Sequence, residues 1–513
     1  MDVIFFTGTD THTDTAFTME IPADSKVHIL IRCPQCGGTI DFLEEAQVVH
    51  CQFCGTELLV AGREGVLRYV LAPQISDPKK VQSLAGDHLL KLGKRSPRAG
   101  ETFLFYAPFW RLQGTVYRWV FGMKPLKLET NAGVPPAMER FKVLLVRVMD
   151  HTIPAYSGLE IGLNSLGVRP QVLRLQPFSP EHLEMRESFL PLDIPLEAVQ
   201  AEAGNYADFF FEAEKMISEV NLERILGLQF SVIYFPLWYV ECSHEGGREV
   251  LLLDAVGQGP IQTIPDGSPI LAKLKGEETR KPFQFSELRF LPFRCPNCGW
   301  AFPFFPLSVL HFCPTCRRLF EEKGGDWAER KYSVVPTAGE RSPKDLLWVP
   351  FWRCRTTLES SGERLESMAD LYRLAPPPRV FNPEREARRP IFFYLPAVKF
   401  RHPQTIHNLG SRLTFLQPET PLGCFEDGSH PPTAGGSLGI KDAQELGLMI
   451  LGALIPQANR KARAWIKDCR VEFQDSQLVF FPFTRADLFW KEMTSGISFQ
   501  DNALSENLAE RPT

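Results

Sequence analysis

The pentapeptide Cys33-Pro34-Gln35-Cys36-Gly37 recurs as Cys295-Pro296-Asn297-Cys298-Gly299. Each copy is followed by a second C-x-x-C pair, Cys51/Cys54 and Cys313/Cys316, after the same spacer of 14 residues. A C-x-x-C turn aims two sulfurs at one point, and two such turns supply the four thiolates of a tetrahedral metal site closed by protein alone. Eight of the 12 cysteines are used in this way, so the remaining fold has to be built around two fixed clusters.

Other landmarks repeat in the same order. Ala107-Pro108-Phe109-Trp110-Arg111 is answered by Val349-Pro350-Phe351-Trp352-Arg353, Pro154-Ala155 by Pro396-Ala397, and Phe235-Pro236 by Phe481-Pro482. Ordered self-similarity of this kind marks a tandem duplication, with halves of roughly 1–270 and 271–513. The first half carries extra residues at Ser76 to Arg95, where Val81, Leu84, Ala85, Leu89 and Leu92 recur at helical spacing after Pro78. An amphipathic helix packed on its own domain is expected there.

At the eight cysteines the chain resembles the zinc-ribbon superfamily, whose C-P-x-C-G knuckles are shared with rubredoxins. The resemblance covers about 45 residues in each half, and the last knuckle departs from it because Cys316 is followed by Arg317 rather than glycine. It implies a small three-stranded β unit around each metal. Such units occur in transcription factors, polymerase subunits, helicases, ribosomal proteins and bacterial adaptors, so the resemblance implies a fold more than an activity. Rubredoxins hold iron with the same knuckle, but their cysteine pairs lie much farther apart. Zinc is therefore expected, one ion on Cys33, Cys36, Cys51 and Cys54 and one on Cys295, Cys298, Cys313 and Cys316.

The fold class expected is α+β, with two small ribbons each followed by a larger mixed module. The divisions are an N-terminal segment (1–26), ribbon 1 (27–70), module 1 (71–270), ribbon 2 with its lead-in strand (271–332), module 2 (333–504) and a flexible tail (505–513). Extended segments include Val143 to Val148 and Ile391 to Leu395. A long helix is expected at Leu196 to Arg224, and another at Lys441 to Lys467 with a break at Pro456. Ala375 to Pro378, Glu426 to Ser437 and Gly257 to Pro269 read as loops or linkers. The repeated Pro-Phe and Phe-Pro pairs are expected at strand starts, edges or bulges, because proline cannot donate to a ladder. Each ribbon is expected to respond to loss of its own metal, so serine at Cys33 or Cys295 should loosen that ribbon more than the companion module.

Composition narrows function by exclusion. At 44% apolar and 23% charged, the chain has enough hydrophobic residues for full-sized cores, and its length predicts roughly three domains. A net charge of −5 advertises no polyanion partner. The longest apolar run, Leu446 to Ile455, is too short to span a membrane, and the first residues lack a basic leader and an apolar stretch. Thiolates kept reduced for metal point to the cytoplasm. No phosphate-binding Gly loop, G-x-S-x-G, H-E-x-x-H or dinucleotide fingerprint is present, so nothing positive supports an enzyme. One acting in a groove between the halves would need a polar cluster that only a structure could reveal.

The function expected is a non-enzymatic scaffold or adaptor that presents its duplicated modules to protein partners. The alternative is a nucleic-acid-binding accessory protein acting through ribbon 2. From Arg289 to Lys331 the net charge is +3, with Trp300, Phe302 and Phe304 nearby, whereas Val27 to Val70 carries −2. An aromatic hairpin wedged onto the neighbouring module is the competing use of those rings. His50 and His311 flank complete four-sulfur sites, so outer-shell or surface roles are expected for them. Cys242, Cys354, Cys424 and Cys469 read as small buried hydrophobes, and Asp10 to Asp14 as a polar turn.

Overall fold

The computed structural model describes residues 27–504 apart from 64, 126–137, 158–160, 185–187, 210–217, 269–287, 338–344, 379, 419–422, 424–432 and 494. The N-terminal segment, the tail, Cys424 and most of the Glu426 to Ser437 loop lie outside the described residues. The architecture is mixed α+β. In the first half, β1 (His28–Arg32), β2 (Thr39–Leu43), β3 (Val48–His50), β4 (Glu57–Ala61) and β5 (Leu67–Leu71) precede helix α1 (Pro78–Lys91). Two very long strands follow, β6 (Arg98–Pro125) and β7 (Met138–Pro154). Then come β8 (Arg174–Pro177), α2 (Leu196–Phe209), β9 (Ser218–His244), β10 (Gly247–Asp254) and β11 (Pro260–Pro265).

A nine-stranded sheet runs β11-β10-β9-β5-β8-β1-β2, with β6 pairing both β9 and β7. The hairpin β1–β2, which carries the first knuckle, thus belongs to the large sheet, whereas β3 and β4 lie in a separate three-stranded sheet. Helix α1 forms where its spacing predicts. The Asp77 side chain caps it, Pro78 opens it, and Val81, Ala85 and Leu89 bury against Trp238, Val240 and Leu251. The helix expected over Leu196 to Arg224 ends at Phe209, and its last seven residues are strand instead. Pairing with β6 decides this: Ser218 to Ile225 bond against Val116 to Gly122. Pro260 to Pro265, read as loop, is an edge strand on β10.

In the second half, β12 (Arg289–Pro292), β13 (Leu310–Phe312), β14 (Leu319–Lys323), β15 (Asp326–Arg330) and β16 (Tyr332–Val334) lead to β17 (Leu346–Ser360) and β18 (Glu363–Leu365). After β19 (Phe392–Pro396) come α3 (Pro403–Leu416), α4 (Ile440–Glu445), α5 (Gly447–Leu454) and α6 (Arg460–Lys467). The half closes with β20 (Arg470–Ala486), β21 (Phe489–Glu492) and β22 (Ser498–Gln500). The expected Lys441 to Lys467 helix is therefore three segments, with non-helical chain around Pro456.

Equivalent strands pair alike in the two halves. Phe109 faces Pro154 and Ile233; Phe351 faces Pro396 and Val479. The Trp110 indole donates to Ile194 O at 2.8 Å, and the Trp352 indole to Leu438 O at 3.0 Å. Strand β5 lies parallel to β9, as β16 does to β20.

The prolines lie within these strands, at places where a neighbouring ladder begins or ends. Pro236 sits where β9 exchanges β5 for β10, and Pro482 where β20 exchanges β16 for β21. Pro108 and Pro350 lie one step beyond the ends of β7 and β19. Each carbonyl still accepts, from Ala255, Met493, Ala155 and Ala397 in turn. The missing N–H faces the same gap, so no ladder bond is lost.

The halves interlock. The far end of the β6–β7 hairpin, still paired with β9, carries Trp119, Phe121 and Leu144 into the core of the second half. Trp119 donates to Met449 O at 3.0 Å and stacks on His407, with ring centroids 5.3 Å apart. Lys142 donates to Ala453 O and Ile455 O at the C-terminal end of α5, where a cation complements the helix dipole.

Burial and then the nearby Lys142 charge hold His407 down at about 3. As pH falls below the ordinary histidine value, the unfolded chain takes up this proton before the folded one. Stability from this site is complete above pH 6.5 and lost toward pH 3. At pH 5 the loss is about 2 kcal/mol, and His407→Phe should remove it. The check is the difference in unfolding free energy between pH 7 and pH 5, in both proteins.

Candidate metal centres

All eight ribbon cysteines come together as two groups of four, within each of which the sulfurs lie no more than 4.8 Å apart. In the first, Cys33 and Cys54 are 3.9 Å apart and Cys36 and Cys51 3.7 Å. In the second, the matching separations, Cys295 to Cys316 and Cys298 to Cys313, are 3.6 and 3.5 Å. Four sulfurs around one ion at a Zn–S distance of about 2.3 Å would lie about 3.8 Å apart. The separations fit that tetrahedron and are far too long for disulfides.

The local chain builds every knuckle identically. The N–H four residues beyond the first cysteine donates to that cysteine's carbonyl: Gly37 to Cys33, Gly55 to Cys51, Gly299 to Cys295 and Arg317 to Cys313, all at 2.8–2.9 Å. The turn needs a left-handed residue at that fourth place, and φ is 75°, 71° and 76° at the three glycines and 57° at Arg317. An L-residue there costs about 1–2 kcal/mol. Arg317→Gly is therefore expected to stabilise the metal-loaded protein by about 1 kcal/mol, read as a higher thermal midpoint with unchanged metal content. The Tyr332 hydroxyl, which donates to Arg317 O, keeps its partner in that variant.

Within each knuckle the first sulfur is buried and the second more open. Donation from the Thr56 hydroxyl and N–H draws the Cys54 thiol down to about 6. Burial pushes Cys316 up, but donation from the Arg318 N–H and the Cys295 thiol brings it down to about 7. Cys313 is pushed up to about 12, by burial first and by its sulfur neighbours. Four sulfurs this close cannot all ionise unless a cation sits among them. The donor set suits a soft or borderline divalent ion and leaves no position for water or substrate.

The flanking histidines differ from each other. His50 is exposed, 6.5 Å edge-on from Phe304. His311 is fully buried among Phe293, Phe302 and Trp327, where burial holds it at about 3. The surface role expected for it thus gives way to burial in the apolar core that also holds Cys295 and Cys313. Phe302 shares that core, while Trp300, just beyond the Cys295/Cys298 knuckle, is 62% exposed; Phe53, at the tip of Cys51/Cys54, is 71% exposed. Two of the basic residues counted toward a nucleic-acid surface are in ion pairs, Arg318 with Glu329 and Arg330 with Glu321.

A polar cluster that the sequence reading missed lies beneath the first ribbon. Arg111, fully buried, reaches Asp150 through two nitrogens at 2.6 and 2.7 Å and Glu44 through a third at 2.8 Å. The available signal was an arginine within the apolar stretch Tyr106 to Leu112, whose charge must be compensated wherever it is buried. The equivalent Arg353 instead lies 3.5 Å over the Phe392 ring and 3.3 Å from the Tyr394 hydroxyl.

No family model, curated protein or solved structure matches this chain. Among the described residues, no helix is long and apolar enough to cross a membrane.

Proposed function

We propose that this protein is a non-enzymatic cytoplasmic scaffold or adaptor, in which two structural zinc ions brace two copies of one ancestral unit. The observation that carries this reading is the pair of closed four-sulfur clusters. Saturated by protein, a zinc ion there contributes folding free energy and does no chemistry on a substrate. The common register of the two halves supports duplication. Phe53 and Trp300, one exposed aromatic at a knuckle of each cluster, are the surface through which a protein partner is held. The ion pairs of Arg318 and Arg330 weigh against the nucleic-acid alternative, since paired cations release few counterions from phosphate.

Purified full-length protein should contain two zinc ions per chain by elemental analysis. Tagged protein recovered from its native cell in low salt should retain a stoichiometric protein partner after nuclease treatment. Phe53→Ser with Trp300→Ser should release that partner while both metals stay. Recovery of RNA or DNA that nuclease abolishes would overturn the adaptor reading in favour of ribbon 2 as a nucleic-acid site.

A further inference from the structure

Strand β4 is the wall between the two metal clusters. It follows directly on the Cys51/Cys54 knuckle, and its side chains alternate between two cores. Leu58 and Val60 share an apolar cluster with Cys33 and Cys51, whereas Leu59 packs in the other direction with Phe293, Cys295, Phe302 and Cys313. One strand thus lines the buried ligands of both centres.

The backbone ties them as closely. In the second half, β14 is flanked by β13 and β15. In the first, β4 is flanked by β3 and, in the remaining place, by β12 from the second half, in antiparallel register from Arg289 against Ala61 to Pro292 against Leu58. That register brings Cys54, four residues before Leu58, and Cys295, three after Pro292, to the same end of the sheet. Gln47 and Val48 both donate to Pro306 O at 2.6 and 3.1 Å, and Phe293 N donates to Glu57 O at 3.3 Å.

We propose that the two four-cysteine centres form one cooperative metal unit, in which β4 and β12 make the metal affinity of each centre depend on occupancy of the other. Holding metal and folding the knuckle are one free energy. Emptying the second centre releases Phe293 and Phe302 from Leu59 and loosens β12, and this exposes an edge of the strand that anchors the first centre. The coupling is reciprocal by linkage. It rests on the metal-binding reading above.

The test is titration of the full-length apo chain with Co2+ in a chelator buffer, following thiolate-to-metal absorption. The wild-type chain should take up two equivalents in a single cooperative transition. Cys298→Ser and Cys36→Ser, each left with one intact centre, should bind one equivalent about tenfold more weakly. Leu59→Ala keeps all eight sulfurs and should bind two equivalents without cooperativity, so the test survives if a cysteine variant fails to fold. Wild-type uptake as two independent sites, with single-centre variants at the wild-type midpoint, would overturn the coupling. Uptake of fewer than two equivalents by the wild-type chain would overturn the metal reading itself.

Discussion

Arg111→Met is expected to destabilise the protein by about 3–5 kcal/mol, the cost of leaving buried carboxylates without their cation. The Arg111 side chain is wholly inaccessible, and Glu44 and Asp150 are nearly so, at 14% and 16%. Glu44 lies between β2 and β3, where the first ribbon passes from one sheet to the other, and Gln113 also donates to it at 3.1 Å. The variant therefore loosens the ribbon from the long strands as well as stranding charge. Adding Glu44→Gln and Asp150→Asn should recover most of the loss, because neutral partners can be buried at far lower cost. Arg353→Met, at the equivalent place in the second half, should cost only about 1 kcal/mol, since it removes a cation from an aromatic face and leaves no carboxylate behind. Urea midpoints of the four proteins decide the matter. Equal losses for Arg111→Met and Arg353→Met would show that the carboxylates are irrelevant.

Trp119→Ala should cost about 3–5 kcal/mol, as expected for removing a large aromatic from a packed core. The indole reaches from the first half into the second and lies against Gly452, where an added Cβ would overlap the ring. Alanine leaves a cavity at the centre of this contact and frees Met449 O. Because the residue joins the halves, its loss should lower the cooperativity of unfolding as well as the midpoint, so that probes in the two halves separate. Gly452→Ala attacks the same contact by overfilling it and should cost about 1–3 kcal/mol. Coincident transitions in Trp119→Ala would mean that other contacts suffice to unite the halves.

The sequence by itself determined what is local. Two cysteines three residues apart, followed by a residue that takes a left-handed conformation, set a tight turn that aims both sulfurs to one side, so the grouping of all eight cysteines into two clusters was legible without a fold. Helix α1 was legible because its cap, its proline and its apolar face lie within one stretch of chain. The repeated Pro-Phe-Trp motif likewise marked equivalent strands before their partners were known.

What only the tertiary structure decided is which distant segments meet. Nothing near Ser218 announces that the end of an expected helix will instead be paired with β6. Arg111 and Arg353 occupy one repeated motif, yet one meets carboxylates and the other a phenylalanine, because register across a neighbouring strand selects the partner. The place of β12 on β4 is the clearest case. An edge strand has unpaired N–H and C=O groups that any compatible strand can satisfy, and pattern within β4 cannot say which strand arrives. Chain geometry fixed two four-cysteine clusters; long-range pairing made them neighbours.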